Sequence, residues 1–458
     1  MGSARYHFSG IAGAGMNPLA QLMRSRGHDV QGSDRSFDRG ESADVETSLR
    51  RSGIVIKPQD GAAVTPDVDR FVFSTAVEAD TPEMRTARAL GIERVPRPAL
   101  LAEIVNDGRP GVAIAGTSGK TTITGMLAWI LRDAGVDATV IGGAALVGEG
   151  SGGCFSAGPA DGPVIAEACE SDGTLVDYHP AIGLVHNISR DHGEVDALRL
   201  QFAAFADHSA RVLVNVGCHE AAALARSRKA LTYGTVSGAD AVLTVSAPGP
   251  DRAVGSLRLG QREIALDVPQ PGVHNLENAA AAALVAVELG LPPAAVGRAL
   301  SRFPGVARRF EVIGTTANGI RVVDDYAHNA EKLRAAITTA RAGSSRIVAV
   351  FQPHGFGPAR FLRPDLRELL PRVLRPQDRF AYLEIFYSGG TVTKDVSSRM
   401  LADDLAPDVD CGYLSDHAAA VDWIRAEARV GDSVLIMGAR DPSLPRLARA
   451  VLASLAPR

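Results

Sequence analysis

Cysteine is scarce in this chain, and the little there is lies scattered. Cys154, Cys169, Cys218 and Cys411 form no CxxC pair, which argues against a disulfide framework or a zinc site and fits a reducing compartment. An excess of charge is also missing. Against 52 acidic residues stand 48 basic ones, for a net charge of −4, so nothing electrostatic points to nucleic acid or an anionic membrane as partner. No apolar run approaches the roughly 18 residues that a membrane span needs. The opening "MGSARYHFSG" lacks the charge and the sustained apolar stretch of a signal peptide, and a cytoplasmic location is expected. Aromatic residues are few, at 5%, yet hydrophobic residues reach 46%, enough to build several cores.

What is present is alternation. Apolar strand-like runs exchange with amphipathic stretches along all 458 residues, which predicts parallel α/β layers, and the length suggests about three domains. Composition breaks place them at 1–107, 108–303 and 304–458. Strands are expected at Tyr6–Ser9, His28–Gln31, Val55–Lys57 and Phe71–Ser74 in the first block. The third is expected to hold strands at Ile320–Val323, Ile347–Phe351, Arg379–Leu383 and Ser433–Met437. The alanine-rich tract Ala280–Leu291 reads as a helix ending near Gly290.

The strongest chemical signal is "GVAIAGTSGKTTITGMLAWILRDAG", Gly111–Gly135. A strand, Val112–Ala115, feeds a glycine turn, and Ile123, Met126, Leu127, Ile130 and Leu131 then mark one helix face. Backbone N–H groups at such a helix start cradle phosphates. Gly116, Thr117, Ser118, Gly119, Lys120, Thr121 and Thr122 form the loop, with Lys120 placed for the β/γ-phosphates and the Thr121 hydroxyl for Mg²⁺. The loop is a shortened one, because Ile114 stands where the first glycine of GxxxxGK[ST] belongs.

A second glycine loop, "HFSGIAGAGMNPLA", carries Gly10, Gly13 and Gly15 between a strand and a helix, and the next strand ends in Gly32-Ser33-Asp34. This is a Rossmann-like half able to seat a diphosphate, with Asp34 near a sugar, and a purely structural loop is the open alternative. A dinucleotide and a UDP group would look alike here. Further on, Glu167 and the pair Asp191-His192 each follow a short apolar run. They either converge on a cation or serve structure alone. Asp324 and Asp325 end a strand before a helix, where ribose or metal contacts and plain helix N-capping are both open. Last, the buried-looking strand Val348–Phe351 releases Gln352–Arg360, "QPHGFGPAR", which reads as a loop.

Together these motifs resemble the Mur ligase family over nearly the whole chain. The resemblance is carried by Gly10–Met16, Gly32–Asp34, Gly116–Thr122, Glu167–Asp172, Asn187, Asp191-His192, His274-Asn275, Asn278, Arg308–Phe310, Asp324–His328 and Phe351–His354. It implies a Rossmann-like UDP-sugar domain, a central P-loop ATPase-type domain with a parallel sheet, and a Rossmann-like acceptor domain. It further implies an ATP- and Mg²⁺-dependent enzyme, monomer or homodimer. Such an enzyme phosphorylates the carboxylate of a UDP-N-acetylmuramate-like substrate and lets an amine displace the phosphate. By this resemblance Lys120, Glu167, His192 and His328 are catalytic, and Thr121, Glu167 and His192 hold metal. Asn275, Asn278, Arg309 and Asp325 contact the nucleotide beside the P-loop. Gly10, Ala12, Gly13, Ala14, Gly15, Met16, Asp34, Ser74, Thr75, His354 and Arg360 touch substrates.

The departures concern the acceptor. In the alanine-adding branch "FQPH" runs on into an arginine, with another three positions later, suited to gripping an amino-acid carboxylate. Here those positions are Gly355 and Pro358. Arg360 is nearby but shifted, and Lys394 is another candidate anion partner. The expected alternative is therefore the same chemistry with a different acceptor: a larger amino acid, a peptide or another amine.

Overall fold

In the computed structural model, residues 3–74, 77–78, 80–149, 153–189, 195–387 and 392–455 are described. Three sheets follow one another along the chain. The first is wholly parallel, in the spatial order Val55–Lys57, Asp29–Ser33, Arg5–Ser9, Arg70–Phe73, Glu93–Pro96. The order reverses direction beside Arg5–Ser9, so a crevice opens at the carboxyl ends of Arg5–Ser9 and Arg70–Phe73. Beneath it lies a fully buried polar knot. Glu83 accepts from Ser9 and Ser33, and pairs with His7 Nε2 at 2.8 Å. These contacts tie the ends of two strands to the helix Pro82–Ala89.

The second sheet has ten strands. Gly111–Ala115 sits in its parallel centre, between Ile182–Val185 and Val164–Ala168. All three strands are almost wholly buried, which is why they read as continuous apolar runs. The helix Lys120–Asp133 follows, and the predicted face from Ile123 to Leu131 is at most 1% exposed. The helix Val273–Glu288 packs against it. The alanine tract thus lies inside a longer helix that begins seven residues earlier than Ala280. Alanine there lets two helices approach closely. The apolar cores of the first two sheets merge: Phe8, Val72 and Val105 belong to one cluster with Ala113, Ala166 and Phe202.

The third sheet runs Glu311–Thr315, Arg321–Asp325, Ser433–Gly438, Ile347–Gln352, Arg379–Leu383, Cys411–Leu414. Only the first pairing is antiparallel. By compactness the chain falls into two units: one carries the first two sheets up to Val306, and the other holds the third sheet from Ala307, with 248–252 and 270–272 attached. Among the described residues, no helix is long and apolar enough to cross a membrane.

The reading of Gln352–Arg360 as a loop needs correction. A helix, Phe356–Val373, begins inside it. Pro358 misled, since proline usually breaks helices. It falls in the first helical turn, where its missing N–H has no partner to lose. Gly355 precedes the helix at φ 67° and ψ 139°, a region essentially reserved for glycine.

Candidate functional site

The first half of the site is the crevice of the first sheet. Gly10 N–H and Ile11 N–H donate to the Ser33 carbonyl at 2.8 and 3.0 Å, folding the glycine loop over the next strand. Asp34 braces that loop: one carboxylate oxygen accepts from Ala12 N–H at 2.9 Å, and the other caps the helix Arg35–Asp38 through Ser36. Gly13 N–H closes back on Gly10, and the helix Met16–Ser25 opens at Gly15 with no side-chain cap. Its first N–H groups turn inward: Met16 and Asn17 both donate to the Gly13 carbonyl at 2.9 Å, and Pro18 follows with no N–H to give. Ser74 lies across the crevice, its Cβ 3.4 Å from where a Cβ on Gly10 would stand. Thr75 lies outside the described residues. Arg97, which the sequence reading passed over, runs alongside Gly15 and pairs with Asp172 at 3.1 Å.

The second half is the P-loop. Ser118 N–H donates to Asn187 Oδ1 at 2.8 Å, and Thr117 N–H to the Asn187 carbonyl at 3.1 Å. Asn187 therefore shapes the loop from the neighbouring strand end. Gly119 caps the helix at φ 87°. A Cβ there would lie 2.5 Å from Asn278 Oδ1, so glycine is required both by conformation and by this neighbour. Asn278 donates to Asn275 at 3.3 Å, and both are buried against the loop. His186, also unforeseen, lies under Gly116 and Gly119 and meets the Tyr233 hydroxyl at 2.7 Å. Burial, and then the nearness of His274, pushes its imidazole down to about 4.

Lys120 donates to Glu170 Oε2 at 2.7 Å and to the Gly116 carbonyl. Burial opposes its charge, but the carboxylate of Glu170 outweighs that and holds the ammonium above the ordinary lysine value. Thr121 donates to Glu167 Oε2 at 3.0 Å, and Glu167 Oε1 accepts from Gly143 N–H at 2.6 Å. A hydroxyl and a carboxylate within one hydrogen bond, at a phosphate-binding helix start, suit a hard cation that keeps several waters and binds phosphate too. Asp191 and His192 lie outside the described residues, and among those described no three His, Cys, Asp or Glu side chains cluster as a metal site. The two halves adjoin. A Cβ on Gly153 would stand 2.8 Å from the Gly142 carbonyl and 3.3 Å from that of Ala14. The first glycine loop therefore abuts the strand end next to Gly143 and Glu167.

In the second compact unit, Asp325 accepts from Phe310 N–H and Ala327 N–H, both at 2.7 Å. The N-capping alternative for Asp324 and Asp325 falls, because Asn329 caps the helix Ala330–Arg341. Burial raises the Asp324 carboxyl to about 7 even with Arg308 at 3.3 Å. The Arg309 guanidinium stacks 4.7 Å over the Tyr326 ring. His328 and His354 stand edge to face, their rings 5.6 Å apart, at the ends of two strands. Arg360 is bound to Asp395 and to the Thr393 carbonyl. Lys394 lies over the rings of Phe356 and Tyr387, against the start of the acceptor helix.

Comparison with known proteins decides the family. Residues 5–109 match the Mur ligase family, catalytic domain, and residues 308–440 match the Mur ligase, glutamate ligase domain. The chain is similar to a UDP-N-acetylmuramate–L-alanine ligase of Kineococcus radiotolerans, 37% identical over 95% of this chain and 93% of that one. It is 36% identical to one of Paenarthrobacter aurescens, over 95% and 94%. The chain belongs to the Mur ligase family. Its fold matches the solved UDP-N-acetylmuramate–alanine ligase of Thermotoga maritima with a TM-score of 0.78, at 25% identity, over 98% of both chains. The three-domain architecture of Mur ligases holds for this chain, and the chain is an ATP-dependent, amide-forming ligase.

Proposed function

We propose that the enzyme joins an amine or amino acid to the carboxylate of UDP-N-acetylmuramate or a close analogue, through an acyl phosphate. The observation that carries this reading is the helix start at Lys120, where the ammonium and the Thr121–Glu167 pair share one turn. The names of the relatives support the UDP-sugar. The first crevice offers its glycine loop to the diphosphate, with Asp34 and Ser74 at its rim.

Phosphoryl transfer asks mainly for positioning and charge neutralisation. Lys120 leaves Glu170 for the transferring phosphoryl oxygens, and the P-loop N–H groups hold the nucleotide phosphates. Asn275 and Asn278 line the same loop. Arg309 and Asp325 contribute nucleotide contacts from their own unit. Thr121 and Glu167, with His192 added by the family resemblance, would hold Mg²⁺, which would neutralise charge on the phosphates. His328 and His354 orient the acceptor amine and take its proton. The four cysteines are unpaired thiols, which fits a cytoplasmic enzyme.

The test is phosphate release by the purified full chain with ATP, Mg²⁺ and UDP-N-acetylmuramate, across a panel of amines. Release that requires both the sugar nucleotide and an amine supports the reading; no release with any pair sinks it. A second reading, a different acceptor from alanine, is favoured by a specific observation. The two loop positions lack guanidinium groups, and Arg360 is engaged by Asp395.

A further inference from the structure

The carboxyl edge of the third sheet holds an open cleft of about 530 Å³, inside the range of about 300–1,000 Å³ typical of small-molecule sites. Gln352, Glu384, Phe386, Tyr387, Asp416 and His417 are among its walls. It borders the acceptor segment directly: Gly355 N–H donates to the Phe386 carbonyl at 2.8 Å, and Phe386 N–H to that of Pro353 at 2.9 Å. His354 bridges to Phe386 in the same ladder.

Its polar walls are mainly acceptors, with one cation beside them: the Lys394 ammonium lies 5.2 Å from the centre of the Tyr387 ring. Gln352 is 6% exposed, and its amide nitrogen donates to the Glu384 carbonyl at 3.3 Å. That contact fixes the amide orientation, and Oε1 is left buried with no hydrogen-bond partner. The Tyr387 hydroxyl is likewise buried and without a partner. Buried polar atoms of this kind are costly unless something supplies the missing bond. Glu384 accepts from Ile385 N–H and from the Tyr413 hydroxyl. Asp416 accepts from Ala419 N–H and Ser415. These are neutral donors, and neither carboxylate has a Lys or Arg ion-pair partner among the described residues. His417 faces Asp441 at 3.7 Å. The cleft therefore offers acceptors and negative charge, and it has far more room than a methyl side chain fills.

We propose that this cleft receives the remote, cationic end of an amine acceptor larger than alanine, such as a diamino acid. This rests on the ligase reading above and names the acceptor class for it. The reacting amine lies toward His354, and the distal ammonium lies between Glu384, Asp416 and the Gln352 carbonyl oxygen.

The experiment compares L-lysine and L-ornithine with norleucine, a neutral analogue of lysine, and with L-alanine. The full chain is used with ATP, Mg²⁺ and UDP-N-acetylmuramate. The diamino acids are expected to exceed norleucine and alanine by about tenfold or more in kcat/KM, a fraction of what a close charge pair yields. Asp416→Asn and Glu384→Gln should each reduce the lysine-over-norleucine ratio severalfold and leave the KM for ATP unchanged. A lysine-to-norleucine ratio near one, or alanine as the best acceptor, overturns the proposal. Calorimetric binding of L-lysine and norleucine to the same protein separates the two ideas. If no amine is ligated but lysine binds more tightly than norleucine in a Glu384-dependent way, the ligase reading falls and the cleft assignment stands. Equal binding overturns the cleft assignment.

Discussion

Two helices in this chain start the same way and carry different chemistry. Each follows a buried strand, and each is preceded by a glycine with positive φ: Gly119 at 87° and Gly355 at 67°. Past Gly119 come Lys120 and Thr121, with carboxylates placed against both. Past Gly355 come Phe356, Gly357 and Pro358, with no charge at all. The backbone device is shared, so the side chains of the first turn decide what is gripped. In the reading proposed above, one start takes phosphate and the other leaves recognition to the walls beside it.

The largest expected break in this comparison is Lys120→Ala, which should lower phosphate release by about 10²- to 10³-fold or more, the scale for losing one charge-stabilising donor. Normal thermal unfolding of the variant would confirm that the fold is intact, and retained turnover would refute the proposed phosphate role. Next comes one substitution made at both starts. Gly119→Ala brings a Cβ 2.5 Å from Asn278 and should cost about 1–3 kcal/mol of stability through conformation and crowding, with a raised KM for ATP. Gly355→Ala meets nothing closer than Pro358 Cδ at 3.3 Å. It should cost about 1 kcal/mol and leave the KM for ATP unchanged. Equal effects on ATP would erase the distinction. The double change Gly355→Arg with Pro358→Arg should improve use of L-alanine severalfold despite that strain, and no gain would count against the role given to these two positions.

The smallest effect is in pH. Near Gly119, burial holds His186 at about 4 rather than 6.5. Between those values the unfolded chain takes up protons that the folded one refuses, so stability falls as pH drops from 6.5 toward 4. In the other unit, burial lifts Asp324 from 3.8 to about 7. There the folded state keeps a proton that the unfolded chain releases, so stability falls as pH rises through that window and levels off above it. Thermal unfolding across pH 4 to 8 should show the opposite slopes. His186→Gln should flatten the slope of the first unit and Asp324→Asn that of the second.

Short strands bounded by turn residues were the most legible part of the fold. Val55–Lys57 and Arg379–Leu383 have the predicted bounds, because an apolar run between turn residues has few other solutions. The P-loop was legible for the same local reason, since lysine and threonine at a helix start are contiguous in sequence. Partners contributed from elsewhere were not legible. Asn187 bonds to Ser118 across 69 positions and Glu170 reaches Lys120 across 50, and no local pattern announces either contact. The acceptor helix was hidden by Pro358, whose cost depends on which turn it occupies. Arg97 gave no signal beyond its charge.

The merged core of the first two sheets has a thermodynamic consequence. Phe8 and Val105 share one apolar cluster with Ala166 and Phe202, so separating the first sheet from the second would expose both faces at once. Calorimetry should therefore resolve two cooperative melting events for this chain rather than three. A fragment ending at Asp107 should not refold alone, whereas a cut near Val306 would leave the apolar cluster of the first two sheets uncut.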